Sequence, residues 1–387
     1  MTMRDKTAIV GIGATPYTKR GQSAPQTMEE LIAKAVLQAV DDAGLKITDV
    51  DGFAYFAGGH DTSLLTEILG IPEVTYTATL TGAGGGSAGS IGLASSAIIS
   101  GLAKTVVVVC GVQQAVLRYG TYSSSHPADP YSSFYLYSGL VSPGQAFALL
   151  ARRHMHLYGT TREQFAEVAM STRLNALSNP NALMKKPMTK EDYFNAPMIS
   201  DPHCLFDFCL ETDGAVAAVV TSAERARDLK QKPAYVMAST HGGSGDWGRS
   251  LYWFNMPDEL FTSSGHNTVA KQLYEMAGVG PKDIDVAQIY DHFTSQVIMQ
   301  LEDYGFCKRG EGGPFVASGA IRLKGGSIPV NTDGGQLSCA YIWGMSHIKE
   351  AVEQIRGTAV NQVKDAEVCL VTGGPSNIPM SGLILRR

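Results

Sequence analysis

Cysteine is missing from the whole of Met1–Val109, and the six that follow (Cys110, Cys204, Cys209, Cys307, Cys339 and Cys369) show no paired CxxC spacing. Their scatter excludes a zinc finger or ribbon and a disulfide scaffold, and makes reduced thiols the expectation. Charge is scarce too: Asp, Glu, Lys and Arg make up 17% of the chain, the net charge is −5, and no basic stripe occurs. Nucleic-acid binding and polybasic attachment to a membrane therefore lose their electrostatic basis. No uncharged apolar run reaches membrane-spanning length, and residues 1–6 lead at once into the strand-like TAIVGIG without a signal core. A cytoplasmic protein is expected, with part of its surface covered by partners.

What is present is a compact α/β composition: 387 residues, 44% hydrophobic, with 42 glycines. The chain also repeats itself. AGLKITDVDGFAYF from Ala43 and AGVGPKDIDVAQIY from Ala277 share Ala-Gly, then Asp, a β-branched residue and Asp. Each Ala-Gly closes an amphipathic helix, and each Asp-Val/Ile-Asp opens a strand. A second pair follows in order: helix, Gly101 and TVVVVCG against helix, Gly357 and AEVCLVTGG. Alternation of this kind predicts two βαβ-rich halves with helices packed on mainly parallel sheets. Residues 1–111 form the core of the first half, 112–230 hold an inserted loop domain and the end of that half, and 231–387 form the second. The stretch ARRHMHLYGTTREQFAEVAMSTRLNAL in the insertion reads as helical. His154 and His156 are expected on a helix surface there, and Asp213 in a turn before a strand.

The segment TGAGGGSAGSIGLASS, 81–96, follows a strand and opens a small-residue helix. Gly84, Gly86 and Gly89 satisfy GxGxxG, but no acid stands at the end of the next strand to hold a ribose, so a dinucleotide site lacks its confirming context. Glycines that let two helices approach closely are the better-supported reading.

Element order, duplication, and the segments NTDGGQLSCAYIWGM, IYDHFTSQVIMQLEDYGFC and ETDGAVAAVVTSAERARDL together resemble the thiolase superfamily, in its sterol-carrier-protein type. The resemblance spans essentially the whole chain and implies the thiolase fold, a layered αβαβα arrangement. It also places the thiolase nucleophile, a cysteine at a helix N-terminus, at or near Gly84. That nucleophile is absent. The catalytic histidine position is occupied by Tyr341, the histidine of the His-Asp-Cys-Phe-Ser turn by Tyr290, and the acid–base cysteine region holds Gly373 and Gly374 instead. Cys369, in the preceding apolar strand, reads as an inert buried thiol.

Claisen chemistry through an acyl-enzyme is therefore closed, because each of its cysteines and histidines is gone. Aldol cleavage needs no covalent adduct and shares the need for a stabilised enolate. The resemblance extends to the cysteine-lacking steroid side-chain aldolases, and implies that Tyr290 and Tyr341 act as an acid–base pair on a 17-hydroxy-steroid 20-carboxyl-CoA, giving a 17-ketosteroid and propionyl-CoA. Gly84, Gly85, Gly335, Gly373 and Gly374 are candidates for backbone oxyanion or substrate contacts, and Asp291 and His292 for support or orientation. No metal is expected in this chain and no covalent cofactor; the substrate itself carries coenzyme A. A homodimer and a small partner with an OB-fold and a zinc ribbon are also implied. A tyrosine base needs help, and the dipole of a helix starting at Tyr341 would supply only about 0.3–1 kcal/mol. Read from residues alone, both tyrosines could be plain core. A non-catalytic acyl-CoA or lipid-binding subunit, or an acyltransferase drawing its nucleophile from a partner, stays open. The loop HGGSGDWG, 241–248, is either a substrate contact or a turn.

Overall fold

The computed structural model describes residues 3–56, 60–115, 139–243, 258–374 and 379–387. Strands β1 (Thr7–Ala14) and β2 (Thr18–Lys19), helix Met28–Ala43, β3 (Gly52–Phe56), β4 (Tyr76–Leu80), helix Ser87–Ile99 and β5 (Thr105–Gln113) come first. Helices Pro143–Tyr158 and Arg162–Ser178 and the strand pair β6 (Met198–Ser200) and β7 (His203–Cys204) precede β8 (Thr212–Ser222) and β9 (Ala234–Gly242). Helix Asn267–Ala277, β10 (Val286–Gln288), helices Thr294–Asp303 and Met345–Arg356, β11 (Val368–Gly373) and β12 (Met380–Arg386) complete the second half.

The main sheet runs β10-β11-β12-β9-β1-β8-β5-β3-β4, with β2 beside β8. In the first half β3 is parallel to β4 and β5, while β8 runs antiparallel to β5 and β1. In the second half β10 is parallel to β11, and β12 is antiparallel to both β11 and β9. Thus β10, β11, β12 and β9 take the places of β3, β5, β8 and β1, which is the duplication written in space. The halves join at a short seam, Ala8 opposite Tyr235 and Ile9 opposite Ala234. One antiparallel strand in each half departs from the expectation of mainly parallel sheets. The cause is visible at β11–β12, where the connection from Gly374 to Pro379 is too short for a crossover, which takes about a dozen residues.

The repeated residues do the same work twice. Gly44 and Gly278 end their helices at φ 72° and 66°, a conformation that glycine adopts without strain. Asp49 and Asp283 each accept a backbone N–H three residues back, from Lys46 and Gly280, both at 2.8 Å. Asp51 accepts from the N–H groups of Lys104 and Thr105, and Asp285 from those of Glu367 and Val368, which pins the start of the neighbouring strand in each half.

Two helices lie in the middle layer. Ser87–Ile99 packs on β3 and β8 of its own half and on β9 and β12 of the other; Met345–Arg356 packs on β10 and β11 and also on β1 and β8. Burial on both sides demands small residues, and a β-carbon on Gly92 would lie 2.5 Å from Ser239 Oγ, one on Gly89 3.0 Å from His241. The close approach is therefore of helix to strand β9, not of helix to helix. Helices Met28–Ala43 and Asn267–Ala277 pack on β1, β5 and β8 and on β9 and β12, respectively, and form the outer layers of the αβαβα fold.

The long helical stretch of the insertion breaks at Gly159, φ 69°, into two helices. His154 is buried against expectation, bonded to Thr160 Oγ1 (2.7 Å) and Glu302 Oε1 (3.1 Å); His156 is exposed. Asp213 lies inside β8 and is no turn residue: its carboxylate accepts from Gly21 N, Ser23 N, Ser23 Oγ and Gln114 N, tying the N-terminal segment to β5 and β8.

The central helix Met345–Arg356 carries a buried carboxyl. Glu350 accepts from Thr332 Oγ1 (2.5 Å) and Gln354 Nε2 (3.0 Å), and burial, with Asp333 nearby, pushes its pKa up to about 8. The folded value lies above the unfolded one. Its contribution to stability is therefore complete below about pH 4.5 and is lost as pH rises through about 8. Glu350→Gln removes this slope. Thermal unfolding at pH 5 and pH 8.5 should show the variant gaining on the order of 1–3 kcal/mol on the parent at the higher pH.

Candidate active site

Tyr290 stands two residues beyond β10, and its backbone is held at both ends. Its N–H donates to Thr372 Oγ1 (2.8 Å), its carbonyl accepts from Gln300 Nε2 (2.8 Å), and Thr372 Oγ1 donates to Gln300 Oε1 (2.6 Å). Tyr341 follows a π-helical turn, Gly335–Cys339, and is clasped by Thr212, whose Oγ1 accepts from Tyr341 N (3.1 Å) and donates to its carbonyl (2.7 Å). Both side chains are 2% exposed. The Tyr290 hydroxyl donates to the Tyr341 hydroxyl at 3.2 Å, with the rings 6.5 Å apart and inclined at 76°. Burial lifts the Tyr290 phenol well above its ordinary pKa, and the bond to Tyr341 offsets only part of this. The helix expected to start at Tyr341 starts at Met345, after Trp343 and Gly344 at φ 49° and 89°. Its dipole acts mainly within the first turn, so Tyr341 stands beyond its main reach.

The glycine segment has its faces covered by protein. A β-carbon on Gly84 would lie 2.0 Å from Tyr290 Oη, one on Gly85 2.2 Å from the Pro379 carbonyl, and one on Gly86 2.8 Å from Phe56 Cβ. The volume at residue 84 where a side chain would project is filled by the phenol of Tyr290. Gly374 packs against Gly85, and Gly373 against Ser87 and Ser381, so these glycines gather around the same end of the central helix. Gly335 sits elsewhere: its β-carbon would meet Asp291 Oδ2 at 2.2 Å. The N–H of Gly85 is spent on the Gly82 carbonyl (2.8 Å) and that of Gly335 on Asp333 Oδ1 (2.7 Å), which the sequence did not reveal.

Asp291 ties the two tyrosine segments together. Its carboxylate accepts from Gln336 N (2.8 Å) and Leu337 N (3.3 Å) in the turn before Tyr341, and from His347 Nε2 (3.1 Å) in the helix after it. Asp291 and His347 are wholly buried, and the His347 ring lies 6.3 Å from that of Tyr290. His347 was missed at the sequence level; its signal was a lone imidazole in the first turn of a helix whose start follows Tyr341. His292 lies edge-on to Tyr290 at 5.2 Å, 2% exposed. Burial, with His203 and His266 close by, lowers its pKa to about 3, so the ring is neutral. The thiols of Cys110, Cys339 and Cys369 are pushed above their ordinary range by burial, which leaves them protonated and inert.

Two cavities, of about 610 and about 510 Å³, open elsewhere, and neither is lined by Tyr290 or Tyr341. Of the loop 241–248, residues 244–248 lie outside the described residues.

Comparison with known proteins agrees with this architecture. Residues 7–191 match the model of the thiolase N-terminal domain and 249–381 that of a thiolase C-terminal domain-like unit. The chain is 42% identical to 17-hydroxy-3-oxo-4-pregnene-20-carboxyl-CoA lyase of Mycobacterium tuberculosis, covering 98% of each chain. It is 40% identical to a steroid side-chain-cleaving aldolase of Thermomonospora curvata, over 98% of this chain and 97% of that one. The solved Ltp2-ChsH2(DUF35) aldolase superposes with a TM-score of 0.92 at 38% identity, covering 100% of this chain and 99% of that one. Human mitochondrial 3-ketoacyl-CoA thiolase, at 15% identity and a TM-score of 0.71 over 100% and 99% of the two chains, shares the fold alone. Both thiolase domain models and relatives of this kind over the full length lead to one conclusion: the chain belongs to the thiolase superfamily, in its group of steroid side-chain aldolases.

Proposed function

We propose that this lyase cleaves the Cα–Cβ bond of a 17-hydroxy-steroid 20-carboxyl-CoA by a proton relay through two phenols. The observation that carries the reading is the 3.2 Å bond between Tyr290 Oη and Tyr341 Oη. Tyr290 accepts the proton of the β-hydroxyl and passes its own along that bond to Tyr341, which delivers its proton to Cα. The electron pair of the broken bond forms the enolate, and the oxygen left behind becomes the ketone of the 17-ketosteroid. Propionyl-CoA is the second product. Neither phenol has to rest as a phenolate, which suits a Tyr290 whose burial opposes ionisation. Asp291 serves by holding the two segments in register. A merely acyl-CoA-binding subunit would have no use for two buried hydroxyls facing each other.

The solved Ltp2-ChsH2(DUF35) aldolase carries two components in its name, and a second protein is proposed here too, of the small OB-fold and zinc-ribbon kind that the family resemblance implies. Strand β4 ends the sheet, so its outer edge suits isologous pairing in a homodimer. Unpaired cysteines suit a cytoplasmic setting, and among the described residues no helix is long and apolar enough to cross a membrane. The test is incubation of the purified protein, with and without that partner, with the steroid CoA ester. The 17-ketosteroid and propionyl-CoA are expected in equal amounts; their absence under both conditions rejects the substrate.

A further inference from the structure

An aldol cleavage needs a donor for the thioester oxygen, because the charge released by bond breaking collects there. Two of the glycine N–H groups that the sequence offered for this task are already engaged, Gly85 with Gly82 and Gly335 with Asp333. A different donor stands beside the tyrosines. His292 is 2% exposed and its ring lies near the Tyr290 backbone, yet neither ring nitrogen makes a hydrogen bond of normal geometry. Buried polar groups are almost always paired, so two unmet nitrogens on one ring mark a place where a ligand completes the structure. The ring is fixed where it stands by edge contacts with Phe147 (4.6 Å), Phe293 (4.7 Å) and Tyr290 (5.2 Å), and the His292 carbonyl accepts from Cys209 N at 3.0 Å.

The neighbourhood is polar in the same unfinished way. His203 uses Nε2 on Ser295 Oγ (2.9 Å) and leaves Nδ1 unmet; His266 uses Nδ1 on Tyr304 Oη (3.1 Å), and its Nε2 makes no bond of normal geometry, although the Gly374 backbone is near. Both are wholly buried, and both lie close enough to His292 to disfavour its charged form. Among the described residues no group of three His, Cys, Asp or Glu side chains has a metal-holding arrangement, so these rings do not form a metal site.

We propose that His292 donates a ring N–H to the thioester oxygen of the substrate and holds that oxygen as the enolate after the carbon–carbon bond breaks. This rests on the retro-aldol reading. The bond's electron pair moves onto the Cα–C–O unit, and His292 keeps its proton throughout. A neutral ring does this better than an imidazolium would, since it stabilises the enolate without protonating it at oxygen. The proton that Cα finally receives comes from the tyrosine relay.

Enolate formation can be watched apart from cleavage by following deuterium entry at Cα of propionyl-CoA in D₂O. The wild type should exchange. His292→Phe, folded by thermal unfolding and circular dichroism, should exchange about 10²–10³-fold more slowly. His292→Gln, which retains an N–H donor, should recover part of that loss. Exchange in His292→Phe at the wild-type rate overturns the proposal. So does a glutamine variant as slow as phenylalanine, because a role in packing alone would be lost in both. Should phenylalanine fail to fold, ¹⁵N-histidine spectra of the wild type read the same bond: propionyl-CoA shifts a His292 ring N–H downfield, and an unmoved signal overturns the assignment. A wild type that neither exchanges nor cleaves sinks the retro-aldol reading and this inference with it; exchange in the wild type with none lost in His292→Phe sinks the inference alone.

Discussion

Gly84→Ala should reduce carbon–carbon cleavage by about 10²-fold or more, although residue 84 carries no reacting atom. The new methyl group would stand 2.0 Å from Tyr290 Oη, 2.4 Å from Cζ and 2.8 Å from Cε2, so the phenol has to leave its place. Gly344 crowds the same ring, since a β-carbon there would already lie 3.0 Å from Cε2. Overpacking of this kind costs about 1–3 kcal/mol of stability, which thermal unfolding will register alongside the loss of turnover. Steady-state rates on the steroid CoA ester, with affinity for the ester measured separately, locate the damage in kcat. Full activity in the alanine variant would show that the phenol works from some other position, and the site described here would be wrong.

Tyr290→Phe and Tyr341→Phe each remove one oxygen and leave the ring. Each should lower turnover by about 10²–10⁴-fold, the range of a lost acid or base. Affinity for the CoA ester should hold. The double variant is the sharper experiment. In a relay the two hydroxyls act as one device, so removing the second should cost little more than removing the first. If the two losses multiply, the tyrosines act independently and the relay is not the mechanism. Undiminished turnover in either single variant would remove that tyrosine from the chemistry.

Much of the fold could be read from local chemistry. The Ala-Gly and Asp-x-Asp repeats announced themselves because each residue has one backbone task, Gly44 and Gly278 a left-handed turn and Asp51 and Asp285 the pinning of a neighbouring strand. The strands β8 and β12 gave no sign of their direction, since a buried strand is uniformly apolar whichever way it runs. The tyrosine positions were legible through the resemblance, but their 3.2 Å contact was not, because Tyr290 and Tyr341 approach only through tertiary packing. Polar residues inside buried helices were the hardest to interpret. His154, Glu350 and His347 look like surface positions in a string of letters, and each is buried against a partner contributed by a distant segment. The unmet nitrogens of His292 belong to the same class, visible only once everything around them has been placed.

The shared volume at Gly84 and Tyr290 also constrains ancestry. A side chain at residue 84 and the phenol of Tyr290 claim the same space, so a cysteine there would displace the phenol. Any lineage, or any engineer, moving between thioester condensation and aldol scission on this scaffold must empty the first position before, or together with, filling the second. The reverse order passes through a crowded site with lowered activity, so the sequence of single substitutions is constrained in both directions.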